Sequence, residues 1–381
     1  MEKKNKPKII ISRRKFLGSS AALAAFSMVP MGYSCKSSTG AAVAGSGLNS
    51  KFGGVQIGAI TYSWRSMPGG VENIIKYCTE AGIGSIELMS NDVEDYLGAP
   101  KNPMMGMFGQ GRPAAPAGSA AAPTAPPAQS PPPPPPPPPQ AEAQRPQAAQ
   151  GGGFRRRQLT EEQQAAIAKF NQDLKDWRLS LPMSKFEEVR KMFNDAGINI
   201  HITKFSPARW SDEEIDYAFK AAKALGALGV SEEIGEESVK KLAPFAEKHD
   251  MYAVFHNHMQ FAQEGFSYDP FLAVSPAVML NFDSGHFFGS TGIHPNTIIE
   301  KYHDRILSIH MKDKTGPKTD PPNTNQVWGQ GEAPISDILL LIKDQKWPIF
   351  CDIELEYDIK PWSNAVKETR TCVHYAREIL I

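Results

Sequence analysis

Four short strings in the C-terminal half of this chain end in residues that bind metals. They are Val230-Ser231-Glu232-Glu233, Asn281-Phe282-Asp283, Ser308-Ile309-His310 and Asp352-Ile353-Glu354. Each ends a run of strand-like sequence. Two glutamates, an aspartate and an imidazole form an oxygen and nitrogen donor set suited to Mn²⁺, Mg²⁺, Co²⁺ or Zn²⁺. A divalent cation beside a ketone stabilises negative charge on its oxygen. The neighbouring C–H then becomes acidic enough for a carboxylate or an imidazole to remove. The expected metal ligands are Glu233, Asp283, His310 and Glu354. They are far apart in the chain, so the chemistry needs a scaffold that brings strand ends to one point.

Side-chain alternation along a strand sharpens the selection. Asp352, Glu354 and Glu356 share one face of the last strand, and Ile353 and Leu355 the other. Carboxylates at alternate positions are costly in a dry core unless paired or metal-bound. Glu232 and Glu233 are consecutive and face opposite ways, so only one enters the site, and Glu233 is taken as that one. His256-Asn257-His258 ends a strand between two ligand-bearing strands, and either histidine can be a ligand, an outer partner or a proton shuttle. His286 follows Asp283 by three residues, close enough to lie beside a bound substrate.

The elements that must position these residues alternate regularly. Predicted strands cover Val55–Tyr62, Ser85–Leu88, Asn199–Ile202, Ala227–Glu233, Tyr252–His256, Val278–Asp283, Ile306–His310 and Ile349–Leu355. Helical or helix-replacing sequence follows each one. Val71–Ala81 is closed by Gly82, Ser211 caps Asp212–Leu225, and Asn364–Leu380 ends the chain. Eight such units are the count of a (β/α)8 TIM barrel, an α/β fold of typically ~250 residues. The competing doubly wound sheet usually has a Gly-rich phosphate turn after its first strand, and Ile60-Thr61-Tyr62-Ser63-Trp64 contains none. In a barrel the four ligand-bearing tips point into one bowl.

The rest of the 381 residues is set apart by composition. Residues 1–35 read as an export signal: Ser12-Arg13-Arg14-Lys15-Phe16-Leu17-Gly18 is a twin-arginine string followed by a mildly apolar run too short for a membrane span. The expected location is therefore the periplasm, with Cys35 a candidate for lipid attachment. Residues 36–51 read as a tether, and the barrel as 52–381. It is interrupted in the second βα loop by a Pro-, Ala-, Gln- and Gly-rich insertion at 99–157, containing Pro131–Pro139, and by an extra helix at 158–180. Cys78, Cys351 and Cys372 form no CxxC pair, which argues against a thiolate zinc site; buried single thiols are favoured over a Cys78–Cys372 bridge. With 41 basic and 41 acidic residues, nothing suggests a nucleic-acid footprint.

Together the strings resemble the sugar phosphate isomerase/epimerase superfamily, with its xylose isomerase-like barrel. Asn281-Phe282-Asp283-Ser284-Gly285-His286 resembles the family's DxGH strand, His310-Met311-Lys312-Asp313 its HxKD, and Ile353-Glu354-Leu355-Glu356 its terminal IExE. Phe255-His256-Asn257-His258 is similar to its xENH, with His256 where ketose epimerases carry a metal-binding glutamate. That departure implies that the glutamate ligand comes from strand four as Glu233, as in the subgroup resembling inosose dehydratase. Trp177-Arg178-Leu179 and Met183-Ser184-Lys185-Phe186 resemble an exported subgroup.

The resemblance implies a metal-dependent isomerase or epimerase acting on a sugar or keto-sugar through an enediolate. Glu354 or His256 is the expected base, with Glu233 also in the catalytic set. His258, His286, Lys312, Trp328 and Glu356 are expected to hold the carbohydrate. Two other outcomes are weighed: β-elimination from a 3-keto-glycoside at the same site, and an exported carbohydrate-binding barrel without activity. An abasic-site endonuclease, which needs about three metals and a basic groove, fits the neutral charge poorly.

Overall fold

A computed structural model describes residues 48–103 and 159–381. The twin-arginine string, Cys35, nearly all of the tether and the Pro-rich run lie outside the described residues. Eight parallel strands form the barrel: β1 (Val55–Ile60), β2 (Ser85–Met89), β3 (Asn199–Lys204), β4 (Gly229–Glu233), β5 (Tyr252–His256), β6 (Val278–Asp283), β7 (Ile306–Met311) and β8 (Phe350–Ile353). Each pairs with the next, and β8 pairs with β1, so the sheet closes on itself. The fold is a (β/α)8 TIM barrel.

Local sequence explains the elements. In helix Val71–Ala81 the buried residues Val71, Ile74, Tyr77, Cys78 and Ala81 recur at three- and four-residue spacing, and Gly82 ends it at φ 80°. Helix Asp212–Ala224 starts at a capping box: Glu214 N–H donates to Ser211 Oγ, and Ser211 N–H donates to the Glu214 carboxylate. The closing helix Ala365–Leu380 buries Val366, Cys372, Val373, Ala376 and Leu380. Cys78, Cys351 and Cys372 are free and buried, and burial pushes all three thiols upward.

Inside the barrel, polarity is layered. Ile202, Leu228, Tyr252, Val254, Met279 and Leu307 form an apolar floor, with Phe350 packed against it. Beside it, His201 links Ser85 Oγ (2.9 Å) to Asp352 Oδ2 (2.8 Å), and its ring stacks on Phe350. Gly58 is required beside this trio, because a Cβ there would collide with Asp352 Oδ1. The candidate ligands sit above, at the strand tips.

The chain divides into a barrel unit, up to Pro100 and again from Leu174 to Ile381, and a second unit, Lys101–Asp173. Within the second unit Thr160 and Gln163 exchange capping bonds at the start of helix Glu161–Ser180. Within the barrel unit, Arg178 fixes the end of that helix. Its Nε and Nη2 clasp both Glu94 oxygens at 2.8 and 3.1 Å, and Nη1 reaches Glu214 at 3.2 Å. The guanidinium also lies 3.6 Å from the Trp210 ring centroid. Arg178 is 7% exposed. Its removal would leave the Glu94 carboxylate buried without its cation. Arg178→Ala is expected to cost about 3–5 kcal/mol, read as a lowered urea midpoint; a loss under about 1 kcal/mol would show the clasp to be unimportant.

Candidate active site

Strand pairing brings the tips into register. Glu233 of β4 lies opposite His256 of β5, and Asp283 of β6 opposite His310 of β7. Ligand atoms of His256, Asp283, His310 and Glu354 all lie within 4.8 Å of one another, and all four residues are buried. A second group, Glu233, His256 and His258, adjoins it.

Of the expected ligands, Asp283, His310 and Glu354 lie in the first group and Glu233 in the second, with His256 common to both. Glu233 does turn toward the bowl, but it stands behind His256. Its Oε2 is 3.2 Å from His256 Nδ1 and 3.0 Å from His258 Nε2, and its Oε1 accepts from Lys204 at 2.7 Å. The side chain is 42% exposed, against 0% for Asp283. Burial opposes its charge, but His256, His258 and Lys204 outweigh that and hold its carboxyl far below the usual range. His256 points its other nitrogen, Nε2, at Asp283 Oδ2, 3.3 Å away. Glu232 faces elsewhere and accepts from the Ala208 and Glu233 N–H groups.

The Asp-Ser-Gly-His spacing has a local cause. Asp283 caps helix Ser284–Thr291 by accepting the His286 N–H on Oδ1 at 2.7 Å, which leaves Oδ2 for the cluster. Gly285 admits the Lys312 side chain, since a Cβ there would strike Lys312 Cγ. Asn257 locks the β6 tip: its Oδ1 accepts from Asp283 N–H (2.8 Å) and Tyr268 Oη (2.6 Å).

His310-Met311-Lys312-Asp313 alternates between the site and its support. Lys312 Nζ lies 2.8 Å from Asp283 Oδ2, 2.9 Å from Glu354 Oε2, 2.8 Å from Glu356 Oε2 and 3.1 Å from His286 Nε2. Burial works against its charge, but the three carboxylates prevail and raise its pKa. Burial lowers His286, and Lys312 adds to that, so a neutral imidazole accepts from the ammonium. Asp313 turns away and accepts from the N–H groups of Gly329, Gly331 and Ala333. Trp328, expected to hold substrate, is buried: its ring joins the core and packs edge-on against Tyr375 of the closing helix, with centroids 6.0 Å apart. The loop that Asp313 folds carries it there.

Sequence reasoning passed over Glu87. This residue of β2 is fully buried, and its Oε2 meets His310 Nε2 at 2.7 Å and Asn281 Nδ2 at 2.8 Å. The alternation rule that singled out Glu354 also applied to Ser85-Ile86-Glu87-Leu88, a carboxylate inside an apolar strand. Burial opposes ionisation, but His310 holds the Glu87 carboxyl down to about 2.

The residues present fit a divalent cation. Carboxylates of Glu87, Glu233, Asp283, Glu354 and Glu356 outnumber the ammonium groups of Lys204 and Lys312. Buried charge of one sign demands a counter-charge. Without one, a proton must serve: burial disfavours it, yet Glu354 and Glu87 raise His310 well above its ordinary value. His310 Nδ1 and Glu354 Oε2 face each other at 2.7 Å without hydrogen-bond alignment. Two imidazoles and two carboxylates suit a borderline dication. By fixing Nε2 of His310, Glu87 would leave Nδ1 for that cation. Glu87→Gln is expected to weaken Mn²⁺ binding roughly 10–100-fold by titration calorimetry; unchanged affinity would remove Glu87 from the site.

No family model and no curated protein matches the chain. Solved structures do. One is a probable 3-DHS dehydratase involved in petrobactin synthesis from Bacillus anthracis, with 12% identity and a TM-score of 0.49, covering 84% of this chain and 98% of that one. Another is a sugar phosphate isomerase/epimerase from Parabacteroides distasonis, with 14% identity and a TM-score of 0.46, covering 88% and 97%. A third is a xylose isomerase domain protein from Alicyclobacillus acidocaldarius, with 11% identity and a TM-score of 0.49, covering 85% and 98%. Two of these three carry names from the group whose motifs the sequence resembles.

Proposed function

We propose that this protein is a divalent-metal-dependent isomerase or epimerase acting on a sugar or keto-sugar through an enediolate. One observation carries the reading: His256, Asp283, His310 and Glu354 converge at the barrel tips amid a surplus of buried carboxylate. Bound among these four, Mn²⁺, Mg²⁺, Co²⁺ or Zn²⁺ would supply a Lewis acid for a ketone oxygen and its neighbouring hydroxyl.

The chain's own groups divide the remaining work. Both nitrogens of His256 are engaged, Nδ1 by Glu233 and Nε2 by Asp283. Glu354 is assigned as the group that takes the proton from the carbon beside the carbonyl. Lys312, already charged and aimed at Glu354 and Asp283, donates to the oxygen on which charge develops. Neutral His286 orients that ammonium. Glu356 and the half-exposed His258 lie toward the rim, where they can hold substrate hydroxyls.

Returning the proton to the opposite face gives an epimer, and to the next carbon an isomer. Expelling a β-substituent gives elimination from a 3-keto-glycoside. All three begin with the same proton abstraction. The twin-arginine string places this activity outside the cytoplasm in the proposal, so the substrate is expected to lack phosphate.

Metal analysis and a D₂O exchange panel test the reading. Purified protein should carry a stoichiometric divalent ion that a chelator removes together with activity. With Mn²⁺ added, free ketoses or 3-keto-glycosides should exchange the C–H beside their carbonyl. Glu354→Gln should slow that exchange about 10²–10⁴-fold. A variant that exchanges at the wild-type rate would overturn the assignment of the base.

A further inference from the structure

A cavity that the proposed chemistry does not use shares Glu233 with the candidate site. Asp283, His310, Lys312 and Glu354 are each no more than 6% exposed. Glu233 and His258 are exposed to 42% and 53%. Glu233 lines the cavity, of about 760 Å³, together with Ser206, Ala208, Arg209, Gly235 and Ser238. Glu233 thus belongs to both places: its Oε2 meets His256 and His258, and the residue lines the cavity.

The wall is built rather than loose. Glu232, 7% exposed, joins its two sides by accepting from Ala208 N–H on the β3 loop and from Glu233 N–H on β4, both at 2.8 Å. Ser206 N–H donates to Ser231 O at 3.1 Å. Ser206 itself sits at φ 52°, in the left-handed region. A non-glycine there costs of order 1–3 kcal/mol, and such residues gather at ligand clamps. Ser238 Oγ donates to the Glu233 carbonyl at 2.9 Å and ties the following helix to the same strand tip.

Size and chemistry indicate an occupant. The volume falls within the range of about 300–1,000 Å³ typical of small-molecule sites. Arg209 supplies donors and Glu236 and Glu237 supply acceptors around the lining. A hydroxyl-rich ring offers both in return. We infer that this cavity seats a second sugar ring, so that the substrate is a two-ring glycoside whose reacting ring enters the cluster. The inference rests on the sugar-acting reading proposed above and narrows its substrate class.

Binding measured without turnover separates the two. Full-length protein loaded with Mn²⁺ is titrated calorimetrically with glucose, maltose, cellobiose and trehalose. At least one disaccharide should bind roughly tenfold more tightly than glucose, as a charged hydrogen bond to the second ring would provide. Arg209→Ala, on the exposed rim, and Ala208→Phe, which narrows the cavity, should each bring that ratio toward one. No disaccharide preference in the wild type, or a preference that survives both substitutions, overturns the inference. A disaccharide preference with no C–H exchange on any ketose would instead sink the enediolate reading and leave the second-ring site standing.

Discussion

Surplus negative charge at the strand tips is the constraint on which the rest of the structure depends. Each buried ion carries a desolvation penalty of several kcal/mol. Glu87, Asp283 and Glu354 are nonetheless almost wholly buried within one barrel mouth. Lys312 answers part of that charge directly, and Lys204 answers Glu233 at the edge. What remains must be met by a cation or by protons on imidazole. Held at high cost, such a site is poised to bind positive charge, which is also what a developing oxyanion requires.

The barrel makes this arrangement sustainable by separating layers. Apolar packing between the strands and the surrounding helices carries most of the burial energy, with the floor adding to it. The Ser85–His201–Asp352 layer satisfies its polar atoms internally, apart from Asp352 Oδ1. The tips above can then hold groups that a homogeneous core would not tolerate. Fixed strand register keeps Asp283 opposite His310, and Asn257 and Glu87 hold these two from behind. Placing the cost on rigid strands rather than on loops is how a preorganised site is kept.

Much of this was legible in the sequence because alternation and punctuation are local. Gly82 and Ser211 marked helix ends where they occur. Asp352, Glu354 and Glu356 declared one face of β8. Depth along the barrel axis is not a local property. Glu233 and His256 are neighbours in register, so period-two logic admits both to the bowl and cannot say which stands in front. The position of Trp328 depends on three backbone bonds to Asp313, which no spacing rule reveals. Glu87 was within reach of the rule and was overlooked inside an apolar run.

Arg178 also has a consequence for how the gene can vary. The barrel unit leaves off at Pro100 and resumes at Leu174, and four residues after that return the guanidinium is clasped by Glu94 and stacked on Trp210. Each doubling of the length of a flexible loop adds only about 0.6 kcal/mol of closure entropy. Proline-tract expansion or contraction in that interval can therefore drift between relatives with little thermodynamic penalty, while Arg178, Glu94 and Trp210 should change together or not at all.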